Sequence, residues 1–89
     1  MRLARSEAAI LTLLAARGPC YGLELVKASR GRLKRGGIYV TLVRMEEKGL
    51  VTSGLAESGR RRYRPTALGA RALVAAQIFA GKLPLPDLT

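Results

Sequence analysis

A short amphipathic segment in the middle of the chain constrains the fold more than any other feature. Its apolar residues Ile38, Leu42 and Met45 recur at intervals of four and three, which lays one stripe along a helix and turns it towards a core. Gly49 follows the stripe, and helices commonly end at a glycine with a left-handed backbone. The pattern therefore predicts a helix over residues 36–48 with one buried and one exposed face.

The predicted exposed face of this helix is chemically mixed. Val40 offers methyl groups, Thr41 a hydroxyl and Arg44 a guanidinium, with Glu47 and Lys48 nearby. Methyl, hydroxyl and cationic groups suit the edges of DNA bases and the phosphates beside them. We therefore interpret this face as a candidate reading surface.

The charge of the chain indicates a polyanionic partner. Its 89 residues include 16 Lys and Arg against 6 Asp and Glu, a formal net charge of +10. Ten of the cations lie between positions 30 and 64: Arg30, Arg32, Lys34, Arg35, Arg44, Lys48, Arg60, Arg61, Arg62 and Arg64. A chain this short buries only about 60 to 65% of its unfolded surface, so we expect a second copy to help complete the structure.

Several other classes of function are disfavoured. The chain has one cysteine, Cys20, and no histidine, so we expect neither a disulfide framework nor a metal site. Its carboxylates are scattered and no nucleophile has a base beside it, so we expect no enzymatic activity and no cofactor. No apolar run approaches the roughly 20 residues of a membrane span, and Met1–Arg5 is too short for a secretory signal. We expect a cytoplasmic protein that does not bind membranes.

Two helices are predicted before the central one. The first begins with Ser6 as its N-cap and ends at Arg17, before Gly18-Pro19. The second spans Tyr21–Ser29, and its length of about two turns suits the first helix of a helix-turn-helix. The apolar residues expected to face the core are Ile10, Leu13 and Leu14 in the first helix, and Leu23, Val26 and, as a further candidate, Leu25 in the second.

The residues between the second and third helices alternate cations with Gly31 and Leu33. This stretch is too short and too polar for a core element, so a turn is predicted. Lys34 and Arg35 immediately precede the central helix, where DNA phosphates would lie if that helix entered a groove. They are therefore candidate phosphate contacts, and the alternative is a solvated loop.

A basic hairpin is predicted after the central helix. Two loose strands flank the turn pair Ser58-Gly59 and form a two-stranded wing over residues 51–65. We expect Tyr63 to cover the core and Arg61 to face the opposite side of the ribbon. The candidate outward contacts are Arg60, Arg61 and Arg62. Cations this close repel one another unless an anion is expected, and the alternative is a merely solubilising hairpin.

The last helix is predicted over residues 67–83, with Thr66 as its cap. One expected core stripe consists of Leu68, Ala72, Ala75, Phe79 and Leu83. Apolar residues lie on its other sides as well, and a helix that is apolar all round should be covered all round. We therefore expect it to meet the same helix of a second copy. The candidate dimerisation residues are Leu73, Val74, Ile78 and Phe79.

These elements predict a mainly α fold with a two-stranded β wing, a winged helix-turn-helix with a C-terminal dimerisation helix. Residues 1–83 would form one domain, divided into a DNA-binding part, 1–65, and a dimerisation helix, 66–83. Residues 84–89, with Pro84 and Pro86, are predicted to be a tail.

Several short motifs occur in a characteristic order along the chain. They are Ile10-Leu11 through Leu14 with Gly18-Pro19, Tyr21-Gly22-Leu23-Glu24-Leu25, Gly37-Ile38-Tyr39 with Leu42, Arg44-Met45-Glu46-Glu47-Lys48-Gly49-Leu50-Val51, and Arg61-Arg62-Tyr63-Arg64-Pro65-Thr66 before Gly69. Together their order and spacing resemble the PadR family of bacterial transcriptional regulators, which are winged-helix proteins. The resemblance covers roughly residues 10–73.

The resemblance implies a homodimer that binds a palindromic operator in double-stranded DNA and usually represses the neighbouring gene. It also implies that the third helix enters the major groove, which gives Tyr39, Thr41 and Arg44 the groove contacts, and that Arg60–Arg62 contact the backbone or minor groove. Tyr21, at the start of the second helix, would donate its hydroxyl to a phosphate. No Trp stands where some members stack aromatic effectors, so a small-molecule effector is left open.

Two other functions fit the same features. One is a winged-helix module that docks on an acidic protein partner through its wing. The other is a sequence-blind nucleic-acid binder, which the small number of aromatic residues disfavours because such proteins stack bases on aromatic rings. A gel shift with a pool of genomic fragments separates sequence-specific binding from both.

Overall fold

The computed structural model describes residues 2–81. These residues form α1 (Arg5–Arg17), β1 (Cys20–Tyr21), α2 (Gly22–Ala28), α3 (Ile38–Glu47), β2 (Val51–Leu55), β3 (Arg61–Pro65) and α4 (Ala67–Phe79). The strands form one antiparallel sheet in the order β1-β3-β2. The fold is the winged helix-turn-helix that the sequence predicts, with one addition: the two-stranded wing is extended by the short strand β1.

The predicted apolar stripe of α3 is confirmed. Ile38, Leu42 and Met45 are at most 2% exposed and pack with buried side chains from α1, α2 and the wing. The helix is shorter than predicted at both ends, because Gly37 is its N-cap and Lys48 its C-cap. The buried face therefore holds α3 in the core, while its outer face carries no core packing.

The start of α1 differs from the prediction. Ala4 rather than Ser6 is the N-cap, and the Ala4 N–H donates to Glu7 Oε1 at 2.8 Å. The other Glu7 oxygen accepts from Lys48 Nζ at 2.7 Å, although 41 residues separate the two in sequence. Glu7 is only 5% exposed. The helix thus begins where Glu7 can accept hydrogen bonds from both the Ala4 N–H and Lys48, and the second of these contacts is tertiary.

The apolar face of α2 also differs from the prediction. Leu25 is fully buried, whereas Leu23 is 36% exposed and Val26 is half-buried. Leu33, assigned to a polar turn, is buried in the core. Its N–H donates to Ser29 Oγ at 2.9 Å, which ties the turn to the end of α2. A single leucine therefore anchors an otherwise cationic segment.

The wing hairpin has the predicted turn, with Gly59 at φ +80°. Tyr63 is buried and pairs with Ser53 on one side and with Cys20 on the other. Arg61 stands two residues before Tyr63, so the period of a strand places both on the same face of the ribbon. The expectation that they face opposite sides was wrong.

The predicted core stripe of α4 is confirmed at Ala72, which packs half-buried against the core, and is wrong at Leu68 and Phe79. Gly69 and Leu73 face the core, while Leu68 is 41% and Phe79 94% exposed. The reason is a close approach: a Cβ at Gly69 would lie 2.0 Å from the Leu50 carbonyl oxygen. Only the face of α4 that carries Gly69 can pass this close to the Leu50 backbone. Thr66 is the cap as predicted, accepting from the Gly69 N–H at 3.0 Å.

Two consequences follow for the C-terminal predictions. Leu73 is buried in the core of its own chain, so it is not available to a second copy and was wrongly assigned to dimerisation. The helix ends at Phe79, with Ala80 as its C-cap, and is therefore shorter than the predicted span to residue 83. The tail predicted at residues 84–89 lies outside the described residues.

Candidate nucleic-acid interface

The outer face of α3 is open to solvent and carries the predicted side chains. Tyr39 and Val40 are 48% and 54% exposed, Arg44 is exposed and Thr41 is half-buried. The Thr41 hydroxyl donates to the Gly37 carbonyl at 3.1 Å. Because its proton is used within the helix, its oxygen faces an external partner as an acceptor. This face therefore offers an acceptor, a methyl group and a guanidinium in neighbouring turns.

Tyr39 packs against the start of α2. A Cβ at Gly22 would lie 2.8 Å from Tyr39 Cε1, so only glycine leaves space for the ring in this position. Gly22 follows Tyr21, which belongs to β1 and is also the N-cap of α2. The contact joins the first turn of α3 to the base of the wing. From the sequence Gly22 had only a place in the Tyr21–Leu25 motif, because a contact with Tyr39 on another helix has no local signal.

Lys48 lies apart from this surface. Its ammonium is paired with Glu7 of α1. Lys48 was expected near Arg44 on the outer face of α3, but it does not add a second free cation there. Burial raises the pKa of the Glu7 carboxyl, but the hydrogen bonds from Lys48 and the Ala4 N–H and the charge of Lys48 outweigh it. The net pKa is lowered, and Glu7 is ionised at neutral pH.

The arginines of the wing are arranged around Tyr21. The guanidinium carbons of Arg60 and Arg62 lie 4.2 and 5.0 Å from the centroid of the Tyr21 ring. Arg62 Nη2 also donates to the Tyr21 hydroxyl at 3.2 Å. Hydrogen bonding to Ser58, then Arg62, lowers the pKa of that hydroxyl. Tyr21 therefore contacts the wing itself. The sequence predicted only that its hydroxyl would donate to a phosphate.

Arg61 is held in a different network. Its Nη1 donates to Ser53 Oγ at 3.2 Å, and Ser53 Oγ donates to Glu46 Oε2 at 2.9 Å. Arg61 thus points along the wing towards the end of α3, where Ser53 links it to a carboxylate. Sequence reasoning missed this link, since nothing local connects residues on a helix and two strands.

The turn before α3 presents Lys34 and Arg35 to solvent. The Lys34 carbonyl accepts from the Gly37 N–H at 3.1 Å and the Ile38 N–H at 3.0 Å, which closes the turn at the start of the helix. Between residues 2 and 81 the one ion pair within 4.0 Å is Lys48–Glu7. The described cations of the turn and wing consequently have no carboxylate within ion-pair distance.

Residues 2–81 contain no group of three or more Cys, Asp or Glu placed to hold a metal ion. None of the helices described combines the length and hydropathy needed to cross a membrane.

A helix held by one apolar stripe, with an open mixed face beside a cationic turn and a basic wing, is the arrangement that defines the winged helix-turn-helix class of proteins. Residues 10–75 match the transcriptional regulator PadR-like family. The chain belongs to this family, as its motifs indicate. No curated protein matches it in sequence.

Solved structures support the same fold. A PadR-like regulator from Bacillus cereus is 26% identical with a TM-score of 0.69, covering 85% of this chain and 81% of its own. A probable transcriptional regulator from Pseudomonas aeruginosa is 22% identical with a TM-score of 0.77, covering 90% of this chain and 60% of its own.

PcaV from Streptomyces coelicolor, solved with its natural ligand, is 23% identical with a TM-score of 0.72, covering 92% of this chain and 64% of its own. This chain therefore spans less than two thirds of the length of the Pseudomonas and Streptomyces regulators.

Proposed function

We propose that this protein is a dimeric, sequence-specific repressor that acts in the cytoplasm by occupying a palindromic operator. In this proposal α3 enters the major groove and the wing contacts the DNA backbone or minor groove. The observation that carries it is a continuous surface: Tyr39 on α3 packs on Gly22, and the adjoining Tyr21 contacts the wing through Arg62. The reading helix and the basic wing are thus held as one unit.

The base-reading roles follow from the chemistry of the outer face of α3. Arg44 is the candidate for a bidentate contact with guanine. The Thr41 oxygen, whose proton is donated to Gly37, suits an amino group on adenine or cytosine. Val40 is exposed and suits the methyl group of thymine. Tyr39 lies at the edge of this face, where it would be beside the DNA backbone.

The phosphate contacts are assigned to the cations around that face. They are Lys34 and Arg35 in the turn and Arg60, Arg61 and Arg62 in the wing, with Arg61 limited by its bond to Ser53. A dimer should make on the order of 6 to 10 phosphate contacts, so affinity should fall by about 10³ to 10⁵ between 50 and 200 mM salt. Affinity that stays flat over this range would contradict the electrostatic part of the proposal.

Dimerisation is assigned to the exposed side of α4. Phe79 is 94% and Val74 47% exposed, and Ile78 lies beside them half-buried. Phe79 also borders a largely apolar groove lined by Arg2, Leu3, Ala75, Ala76 and Ala80. Exposure of so large an apolar side chain favours a partner surface. A second copy would place two α3 helices about 34 to 36 Å apart, in successive major grooves.

Selection of bound fragments from random duplexes tests the DNA-binding proposal. We expect enrichment of an inverted repeat whose half-sites are centred about 10 base pairs apart, because a twofold dimer reads the same sequence twice. Retention of all duplexes alike would indicate a sequence-blind binder. No retention, together with capture of an acidic protein partner, would favour the interaction-module alternative.

Sedimentation velocity with Phe79→Glu tests the dimer separately. The added charge should shift the protein to monomer, since it would be buried in the proposed interface. Leu55→Glu is the matched control, because Leu55 is also exposed but lies on the wing. A Phe79→Glu protein that sediments like the control would remove α4 from the interface.

A further inference from the structure

We propose that Tyr21, Arg60 and Arg62 form a clasp for one backbone phosphate of duplex DNA, in which the tyrosine ring holds both guanidinium groups in position. The inference deepens the proposed DNA-binding function and rests on it. It assigns Tyr21 as a positioning residue and gives the contact with the phosphate to the two arginines.

The strand register brings the three residues together. β1 pairs with β3 so that Tyr21 lies directly opposite Arg62, and Arg60 stands two residues before Arg62. The guanidinium carbons approach the ring centroid to 4.2 Å for Arg60 and 5.0 Å for Arg62. Both distances lie within the range in which an aromatic face attracts a cation. The short strand β1 thus has a functional consequence.

The ring, rather than the hydroxyl, is the element common to both arginines. Arg62 contacts the hydroxyl through its Nη2 at 3.2 Å, whereas Arg60 meets the ring face. Loss of the hydroxyl would remove its hydrogen bonding to Arg62 and Ser58 at an exposed site and leave both ring contacts. Loss of the ring would release two long side chains, each of which regains its rotamer freedom.

The charge distribution indicates which ligand the clasp takes. Arg60 and Arg62 are like charges brought to one ring, and no carboxylate among residues 2–81 lies within 4.0 Å of either. Repulsion between them is relieved by an anion that both can contact. A phosphate diester is such a group, because guanidinium donors match its oxygens in charge and geometry. Duplex DNA supplies phosphates beside the groove that α3 would enter.

The test compares Tyr21→Phe with Tyr21→Leu on a random-sequence duplex of about 30 base pairs, by fluorescence anisotropy over roughly 50 to 200 mM salt. Tyr21→Phe keeps the ring and should bind within about twofold of the native protein, with the same salt slope. Tyr21→Leu should weaken binding on the order of 5- to 30-fold for each bound protomer, because two long arginine side chains that the native ring holds in place must then be ordered on binding. Its salt slope should become shallower by up to about 1 for each protomer, since Arg60 and Arg62 no longer stay at the one phosphate of the clasp.

A third protein carries Arg60→Ala and Arg62→Ala. Adding Tyr21→Leu to it should change neither affinity nor slope, because the ring acts through these arginines alone. A merely structural role for Tyr21 would still weaken binding in that background. Such a loss would overturn the proposal, as would a Tyr21→Phe protein as weak as Tyr21→Leu, which would give the phosphate contact to the hydroxyl.

A measurement without DNA keeps the clasp testable if Tyr21→Leu folds poorly. The side-chain NMR signals of Arg60 and Arg62 should show ring-current shifts in the native protein and in Tyr21→Phe. Absence of these shifts in a folded native protein would overturn the clasp. Native affinity and slope in a folded Tyr21→Leu protein would overturn it while leaving DNA binding intact, and failure of the native protein to bind duplex would overturn the proposed function itself.

Discussion

Replacement of Gly69 by alanine is the substitution for which the structure makes the sharpest stability prediction. The added Cβ would lie 2.0 Å from the Leu50 carbonyl oxygen, 3.0 Å from the Leu50 carbonyl carbon and 3.1 Å from Leu11 Cδ2. Two of these atoms belong to backbone that cannot rotate away. Because ordinary van der Waals contact begins near 3.5 Å, α4 would have to move away from Leu50 by more than about 1 Å.

That displacement has a calculable cost. It breaks or strains the Thr66 N–H bond to the Leu50 carbonyl, 3.1 Å long, and the bond from the Thr66 hydroxyl to the Gly49 carbonyl. Each is worth about 1 kcal/mol, and overpacking adds about 1 to 3 kcal/mol. Alanine gains only about 1 kcal/mol over glycine in helix propensity. The net destabilisation should be about 2 to 4 kcal/mol, a large share of the 5 to 15 kcal/mol that stabilises a typical domain.

Urea denaturation followed by circular dichroism measures the effect. Gly36→Ala is the matched control, because a Cβ there meets nothing within 4 Å and its φ is not positive. The control should match or slightly exceed the native free energy of unfolding. If Gly69→Ala were as stable as the control, the close crossing of α4 over Leu50 would be wrong.

Three further predictions concern Glu7, Gly22 and Arg44. Glu7 has a lowered pKa in the folded state, so the stability it contributes is full at neutral pH and is lost as the pH falls below the ordinary glutamate range. On acidification the free energy of unfolding of the native protein should therefore fall by about 1 kcal/mol more than that of Glu7→Gln, a figure reduced because Lys48 is half-exposed. Gly22→Ala should leave the melting temperature nearly unchanged, because the exposed Tyr39 ring can move, yet weaken duplex binding measured by anisotropy. Arg44→Ala should cost about 1 to 3 kcal/mol on the selected operator and relax preference at one base pair.

Each of these has an outcome that contradicts it. Parallel acid-denaturation curves for native protein and Glu7→Gln would mean that the ion pair contributes nothing. A strongly lowered melting temperature in Gly22→Ala would show that Tyr39 is fixed by core packing. Equal losses for Arg44→Ala on the operator and on random duplexes would make Arg44 a phosphate contact rather than a base contact.

Much of the half proposed to bind DNA could be predicted from local patterns alone. The stripe of Ile38, Leu42 and Met45 defines the buried side of α3 because helical period and apolar spacing are properties of neighbouring residues. Thr66 could be assigned as a cap for the same reason, since a cap bonds within its own first turn. The order of such local signals was also sufficient to indicate the PadR-like family.

Only the tertiary structure decided which partners distant residues meet. In α4 nearly every side is apolar, so periodicity could not indicate which face is buried. The buried face contains Gly69 and Leu73, because only Gly69 allows the close approach to Leu50. Lys48 was drawn from the outer face of α3 to Glu7 across 41 residues. Likewise, a two-residue strand has no sequence signature, since its pairing depends on β3. Periodicity is a local property that a sequence displays, whereas pairing across the fold is set by geometry that exists only once the chain is packed.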